Sequence, residues 1–186
     1  MRTKKAAMEM SVGTIVTIVL LMSVLVLGMV LVTNIFTSGK DVVDMTDKQL
    51  KDQINQLFSK EDKVVIYPET RHAEIKQGEV SGVGVGIRNK LTGTMGDSKF
   101  SYAISVSDSD LARKCGGIRA TEVEQWMVTG REETNVPIPS GDFSTQKVLF
   151  DIPVGSPLCT IRFRVNVEAG TGTYATDYFD LTIKSA

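Results

Sequence analysis

Few residues in this 186-residue chain have types and spacing that could do chemistry: two cysteines, one histidine and a scatter of carboxylates. Cys115 and Cys159 are the only thiols. A structural zinc site needs four ligands, and two cysteines with the single imidazole of His72 cannot supply them. The expected state is a disulfide, with two buried free thiols as the alternative, and closing that loop would stabilise a domain by about 4 kcal/mol in the chain-entropy account. His72 lies in "PETRHAE" with no serine or cysteine nucleophile placed by a signature nearby, so it reads as a solvated turn histidine. Asp108 and Asp110 in "SDSD" offer oxygens to calcium, but no loop with the full ligand spacing follows and an acidic turn is expected.

"SGVGVGIR" has the glycine content of a phosphate-binding loop. Its alternating Val83, Val85 and Ile87 make a strand instead, and no helical pattern opens after it. Gly82, Gly84 and Gly86 then leave the opposite face bare, open to close approach by the domain's own helix or by a neighbouring subunit. Trp126 is expected in the core or at its rim rather than as a sugar platform. The reading is therefore of a protein that is not an enzyme, with no catalytic residue, no metal and no cofactor.

The elements that must hold these residues divide the chain in two. The formal charge of −1 gives no basic field to gather nucleic acid, which excludes that class of partner. A mean hydropathy of +0.02 hides a segregation, since nearly all the excess apolarity precedes residue 37. Residues 10–36 form an apolar run, and no charge occurs between Glu9 and Lys40. A bilayer core of about 30 Å needs roughly 20 helical residues, so the run is long enough to span. It is too long for a cleaved secretory peptide. Arg2, Lys4 and Lys5 before it predict a cytoplasmic N-terminus and export of everything after it.

Residues 40–62 change to helical periodicity, with Val43, Leu50, Ile54, Leu57 and Phe58 on one narrow stripe. With no proline before Pro68, a long helix over 7–62 is expected, Ser38-Gly39 being its natural break, and the stripe packs on the domain itself or on a sister helix. After Lys63 the period becomes two. Phe100, Tyr102, Ile104 and Val106 share one face, as do Ile161, Phe163, Val165 and Val167, and again Phe179, Leu181 and Ile183. Val148, Phe150 and Ile152 repeat the pattern, and shorter runs, among them 122–128, bring the strands to about nine. Residues 63–186 are thus expected to form an antiparallel, immunoglobulin-like β-sandwich, and the whole chain is α+β: a long transmembrane helix, then an exported sandwich.

"KKAAMEMSVGTIVTIVLLMSVLVLGMVLV" resembles the N-termini of archaeal type IV pilins and archaellins. The resemblance implies a basic cytoplasmic leader over 1–6, processing around Lys5, Ala6 and Ala7, and a role for Glu9 in registering neighbouring helices of a filament core. It implies a cell-surface structural protein, a filament subunit whose partners are membrane lipid and copies of itself. The alternative is a single-pass membrane-anchored interaction or adhesion module that does not polymerise and meets envelope proteins or polysaccharide.

Overall fold

The computed structural model describes residues 3–36, 41–92, 99–170 and 172–186, but not the side chains of residues 3–12, 30–36 and 41. The chain forms two compact units, Met1–Thr37 and Ser38–Ala186.

The first unit holds one helix, α1 (Thr3–Phe36), of 34 residues. At 1.5 Å per residue it rises about 51 Å. No proline interrupts its hydrogen-bond ladder, and between residues 13 and 29 its side chains are mostly apolar on every side rather than along one stripe. The large apolar side chains from Ile15 to Met29 are all between 51% and 68% exposed. Thr17 and Ser23 turn their hydroxyls inward, donating to the carbonyls of Gly13 and Val19 at 2.8 Å each. Among the described side chains, residues 13–29, no helix is long and apolar enough to cross a membrane. That stretch rises about 26 Å, so the span expected over 10–36 extends past it on both sides. Ser38-Gly39 lies outside the described residues, as do the side chains of Lys5, Ala6, Ala7 and Glu9.

The second unit opens with α2 (Asp41–Asp44) and α3 (Asp47–Leu57). The single helix expected over 7–62 is therefore corrected: it breaks at Met45 and Thr46 and ends at Leu57. Thr46 is the cause, because it takes extended geometry and caps α3. Its hydroxyl accepts from the Gln49 N–H at 3.3 Å, and Gln49 Oε1 accepts from the Thr46 N–H at 2.9 Å. This reciprocal pair satisfies donors that a continuous helix would have used internally.

Nine strands follow among the described residues: β1 (Val64–Tyr67), β2 (His72–Lys76), β3 (Val80–Arg88), β4 (Lys99–Val106), β5 (Met127–Thr129), β6 (Glu132–Pro137), β7 (Phe143–Asp151), β8 (Thr160–Ala169) and β9 (Gly172–Lys184). Short helices α4 (Leu111–Lys114) and α5 (Ala120–Glu124) separate β4 from β5. One sheet runs β1-β3-β7-β5 and the other β2-β9-β8-β4-β6. The triplets β1-β3-β7 and β9-β8-β4 keep the immunoglobulin order, whereas the edge strands β5 and β6 enter in exchanged sequence.

Alternation builds the core. Phe150, Phe163 and Phe179 meet between the sheets with ring centroids 5.0 to 6.1 Å apart. Two expectations need correction. The sandwich is not wholly antiparallel, because β2 pairs parallel with β9, His72 opposite Asp180. The chain leaves the first sheet after β1 and joins the far edge of the second, where it runs beside the last strand in the same direction. The strand expected over 122–128 forms only from Met127, as β5; residues 122–124 are the end of α5, whose Glu122 carboxylate accepts the Arg119 N–H at 3.2 Å and so favours a turn of helix.

β3 is buried at seven consecutive positions because both of its faces are covered. Val83, Val85 and Ile87 enter the inter-sheet core, and Gly84 and Gly86 lie under α3. A Cβ at Gly84 would sit 2.6 Å from Leu50 Cδ1, and one at Gly86 would run into Ile54 and lie 3.0 Å from the Phe58 ring. Gly82 differs, since a Cβ there would strike the carbonyl oxygen of Val148 on the paired strand. Gly82→Ala is expected to cost about 2 to 3 kcal/mol, and Gly84→Ala less, because a leucine methyl can swing away and a ladder carbonyl cannot. Urea denaturation of the two variants checks the order.

Candidate functional site

The predicted stripe residues are brought together, with one exception. Leu50 and Ile54 are buried with Val65 beneath α3, and Leu57 and Phe58 pack half-buried against them beside Tyr67 and Phe143. Val43 is 38% exposed, and its neighbour Val42 is buried instead. At the end of α3 the Arg88 guanidinium covers the Phe58 ring at 4.1 Å and donates to the Ser59 carbonyl at 3.3 Å. Lys147 reaches from β7 to Asp47 at 3.2 Å and to the Met45 carbonyl. The N-terminal segment of the unit is thereby held to the outer face of one sheet by apolar contact and by charge.

The outer face of the other sheet is polar, with Arg162, Arg164 and Glu168 of β8 exposed on it. On it Arg162 of β8 makes a two-point contact with Asp180 of β9, at 2.8 and 2.9 Å. A groove of about 600 Å³ beside this pair is lined by Asp108, Lys114, Cys159 and Thr160. A second, of about 370 Å³, is lined by Thr70, Arg71, His72 and Tyr178 and shares the same pair. His72 is not in a turn, as its sequence context implied, but begins β2. Its Nε2 lies 3.2 Å from the Thr182 hydroxyl, which meets the Thr160 hydroxyl at 2.7 Å.

Asp108 and Asp110 form the acidic turn before α4. Asp108 accepts from the Asp110 N–H at 3.0 Å and pairs with Lys114 at 3.1 Å, while Asp110 pairs with Arg113 at 2.7 Å. Burial pushes the Asp108 carboxyl up, and the Asp110 N–H with Lys114 outweighs it and holds it below the usual range. Cys115, at the end of α4, is bonded to Cys159, just before β8, with Cα atoms 5.5 Å apart. Trp126 is buried in the core. Among the described residues no three His, Cys, Asp or Glu side chains converge as a metal set.

Sequence reasoning missed Asp177, an acid at an inward position of β9 in line with Phe179 and Leu181. Arg71 reaches it at 2.8 Å, and burial raises its pKa against the pull of the Tyr178 N–H and of Arg71. It also missed the Arg162–Asp180 pair, which requires knowing that these positions face each other. The Arg162 hydrogen bonds hold the Asp180 carboxyl below the usual range. A depressed acid contributes stability above its unfolded value near about pH 4 and loses it as pH falls through the lower folded value. Asp180→Asn is therefore expected to be less stable than wild type at pH 7, with the difference closing at the acid end. Urea midpoints measured from pH 7 to pH 2 check this.

The two outer faces thus offer different chemistry. One is occupied by the chain's own helix. The other presents compensated ion pairs and hydroxyls beside two grooves, an arrangement suited to polar contacts.

No protein-family model matches the chain, and no curated protein sequence matches it. Solved structures resemble it at low identity. A family 123 glycoside hydrolase from Clostridium perfringens is 7% identical with a TM-score of 0.41, over 66% of this chain and 26% of that one. The PapD-like domain 7 of human CEP192 is 17% identical with a TM-score of 0.40, over 67% and 85%. A CARDB domain from Pyrococcus furiosus is 9% identical with a TM-score of 0.39, over 65% and 94%. The chain spans about a quarter of the hydrolase's length. The two-layer sandwich is established by the strand order above, and likenesses at these scores attach no function to it.

Proposed function

We propose that the chain is a non-enzymatic, membrane-anchored surface protein in which α1 seats in lipid before assembly and against copies of itself in a filament afterwards, with the sandwich outside the cell. The observation that carries this reading is α1 itself: between Ile15 and Met29 its large apolar side chains are exposed on all sides, and the Thr17 and Ser23 hydroxyls turn back onto its own carbonyls. In water such a surface is costly. In lipid the residues from Ile15 to Met29 gain on the order of 5 kcal/mol in total on the insertion scale. Arg2, Lys4 and Lys5 orient the N-terminus to the cytoplasm, and a cut between Ala6 and Ala7 would free an amine close to Glu9.

The native protein is expected to stay with membranes at alkaline pH and to leave them in detergent, while a chain starting at residue 38 stays in the aqueous phase. Electron microscopy of surface fractions should show fibres, and N-terminal sequencing of the fibre should begin at Ala7. Finding Met1 or Arg2 there removes the processed-filament reading. One observation favours the non-polymerising tether as a second reading: the stripe of α3 is consumed by the protein's own sheet, leaving none for a sister helix. A tether gives monomers in detergent and no fibre.

A further inference from the structure

β5 covers only part of the edge of β7. Its register reaches Phe150 and Leu149 and stops, because Gly130 takes a left-handed backbone and the chain crosses to the other sheet as β6. The Lys147 carbonyl oxygen faces the β5 side, since a Cβ at Gly130 would strike it, whereas the Val148 carbonyl oxygen faces β3 beside Gly82. Backbone groups alternate in direction along a strand, so those of Thr145 also point to the side that β5 has left. β6, the outer strand of the other sheet, carries protections against further pairing: Pro137, a left-handed Asn135 and a register shift opposite Phe100 and Tyr102. Residues 145–147 carry no proline, no left-handed residue and no register shift, and Lys147 is turned away to Asp47.

These residues form one wall of a groove of about 490 Å³. Its charged lining is Asp47, Glu132 and Glu133 against Lys147 alone, whose ammonium is already held by Asp47 and the Met45 carbonyl. Tyr102 lines the same groove, its pKa pushed up to about 12 by burial and by Glu133, so it adds a neutral hydroxyl. We propose that this groove accepts an extended, lysine- or arginine-bearing segment of a partner protein as an added strand on residues 145–147 of β7. Main-chain hydrogen bonds to Thr145 and to the Lys147 N–H supply affinity, and Glu132 and Glu133, which Lys147 does not neutralise because it is paired with Asp47, select the charge. The proposal is independent of how α1 is anchored.

The test uses the full chain in detergent with two eight-residue probes, one of alternating lysine and valine and one of alternating glutamate and valine. The basic probe is expected to bind at least tenfold tighter, weaken with salt, and slow amide exchange at residues 145 and 147. Thr145→Pro removes the outward N–H without touching the β3 ladder and should lower affinity more than tenfold. Should that variant fold poorly, the exposed pair Glu132→Lys with Glu133→Lys decides, by reversing the probe preference. Equal binding of both probes, or no change in exchange at 145 and 147, overturns the proposal. Protection of those amides that rises with the protein's own concentration, without probe, overturns it in favour of a second copy.

Discussion

Replacing Leu50 and Ile54 together by alanine is expected to lift α3 off its sheet while leaving the sandwich folded. Both side chains are almost fully buried, and they fill the space that Gly84 and Gly86 leave open. Each truncation alone costs about 3 kcal/mol as lost transfer energy plus a cavity. The two cavities share a wall, so the pair should cost somewhat less than the sum, about 5 kcal/mol. The loss is local, because the Phe150, Phe163 and Phe179 core does not include α3. Amide exchange should show α3 opened and β8 and β9 still protected. If α3 stays protected, Lys147 and the aromatic contacts of Arg88 hold it, and apolar packing is not the main attachment.

The second large effect is expected at Cys115–Cys159. The bridge closes a separation of 44 residues that contains α5 and the three strands β5, β6 and β7, so its removal frees a long loop in the unfolded chain. Double replacement by serine should lower stability by about 4 kcal/mol. Urea unfolding of wild type with reductant should fall to the level of the double variant, and without reductant it should not. Equal midpoints in all cases would mean that the bridge carries no stability. The tie joins the end of α4 to the approach of β8, so its loss should also loosen the groove beside Arg162 and Asp180.

How far the sequence carried these results depends on the range of the cause. Strands β4, β8 and β9 alternate over enough residues for their inward faces to be read directly. The stripe of α3 was legible from its spacing of three and four, as was the bare face of the glycines. Val43 was misplaced because its phase was carried through a helix assumed continuous. Two non-helical residues, Met45 and Thr46, reset that phase and turn Val42 inward. The capping box that causes the reset is a short polar signal inside a pattern dominated by charge.

Nothing in residues 122–128 opposes an alternating strand, and only the local Arg119 and Glu122 contact makes part of them helical. The parallel entry of β2, the partnership of Arg162 with Asp180 and the inward position of Asp177 all depend on which strands lie side by side. Such pairings join residues about 20 to more than 100 positions apart, beyond the reach of local periodicity.

The parallel pairing of β2 with β9 also governs how the sandwich bears load. β2 stands near its entry and β9 is its last strand, so tension between the two ends of the unit pulls these neighbours lengthwise in opposite directions. The five rungs from His72 to Lys76 are then strained together instead of parting one at a time. Resistance to pulling along the chain thus comes from strand direction rather than from the number of bonds.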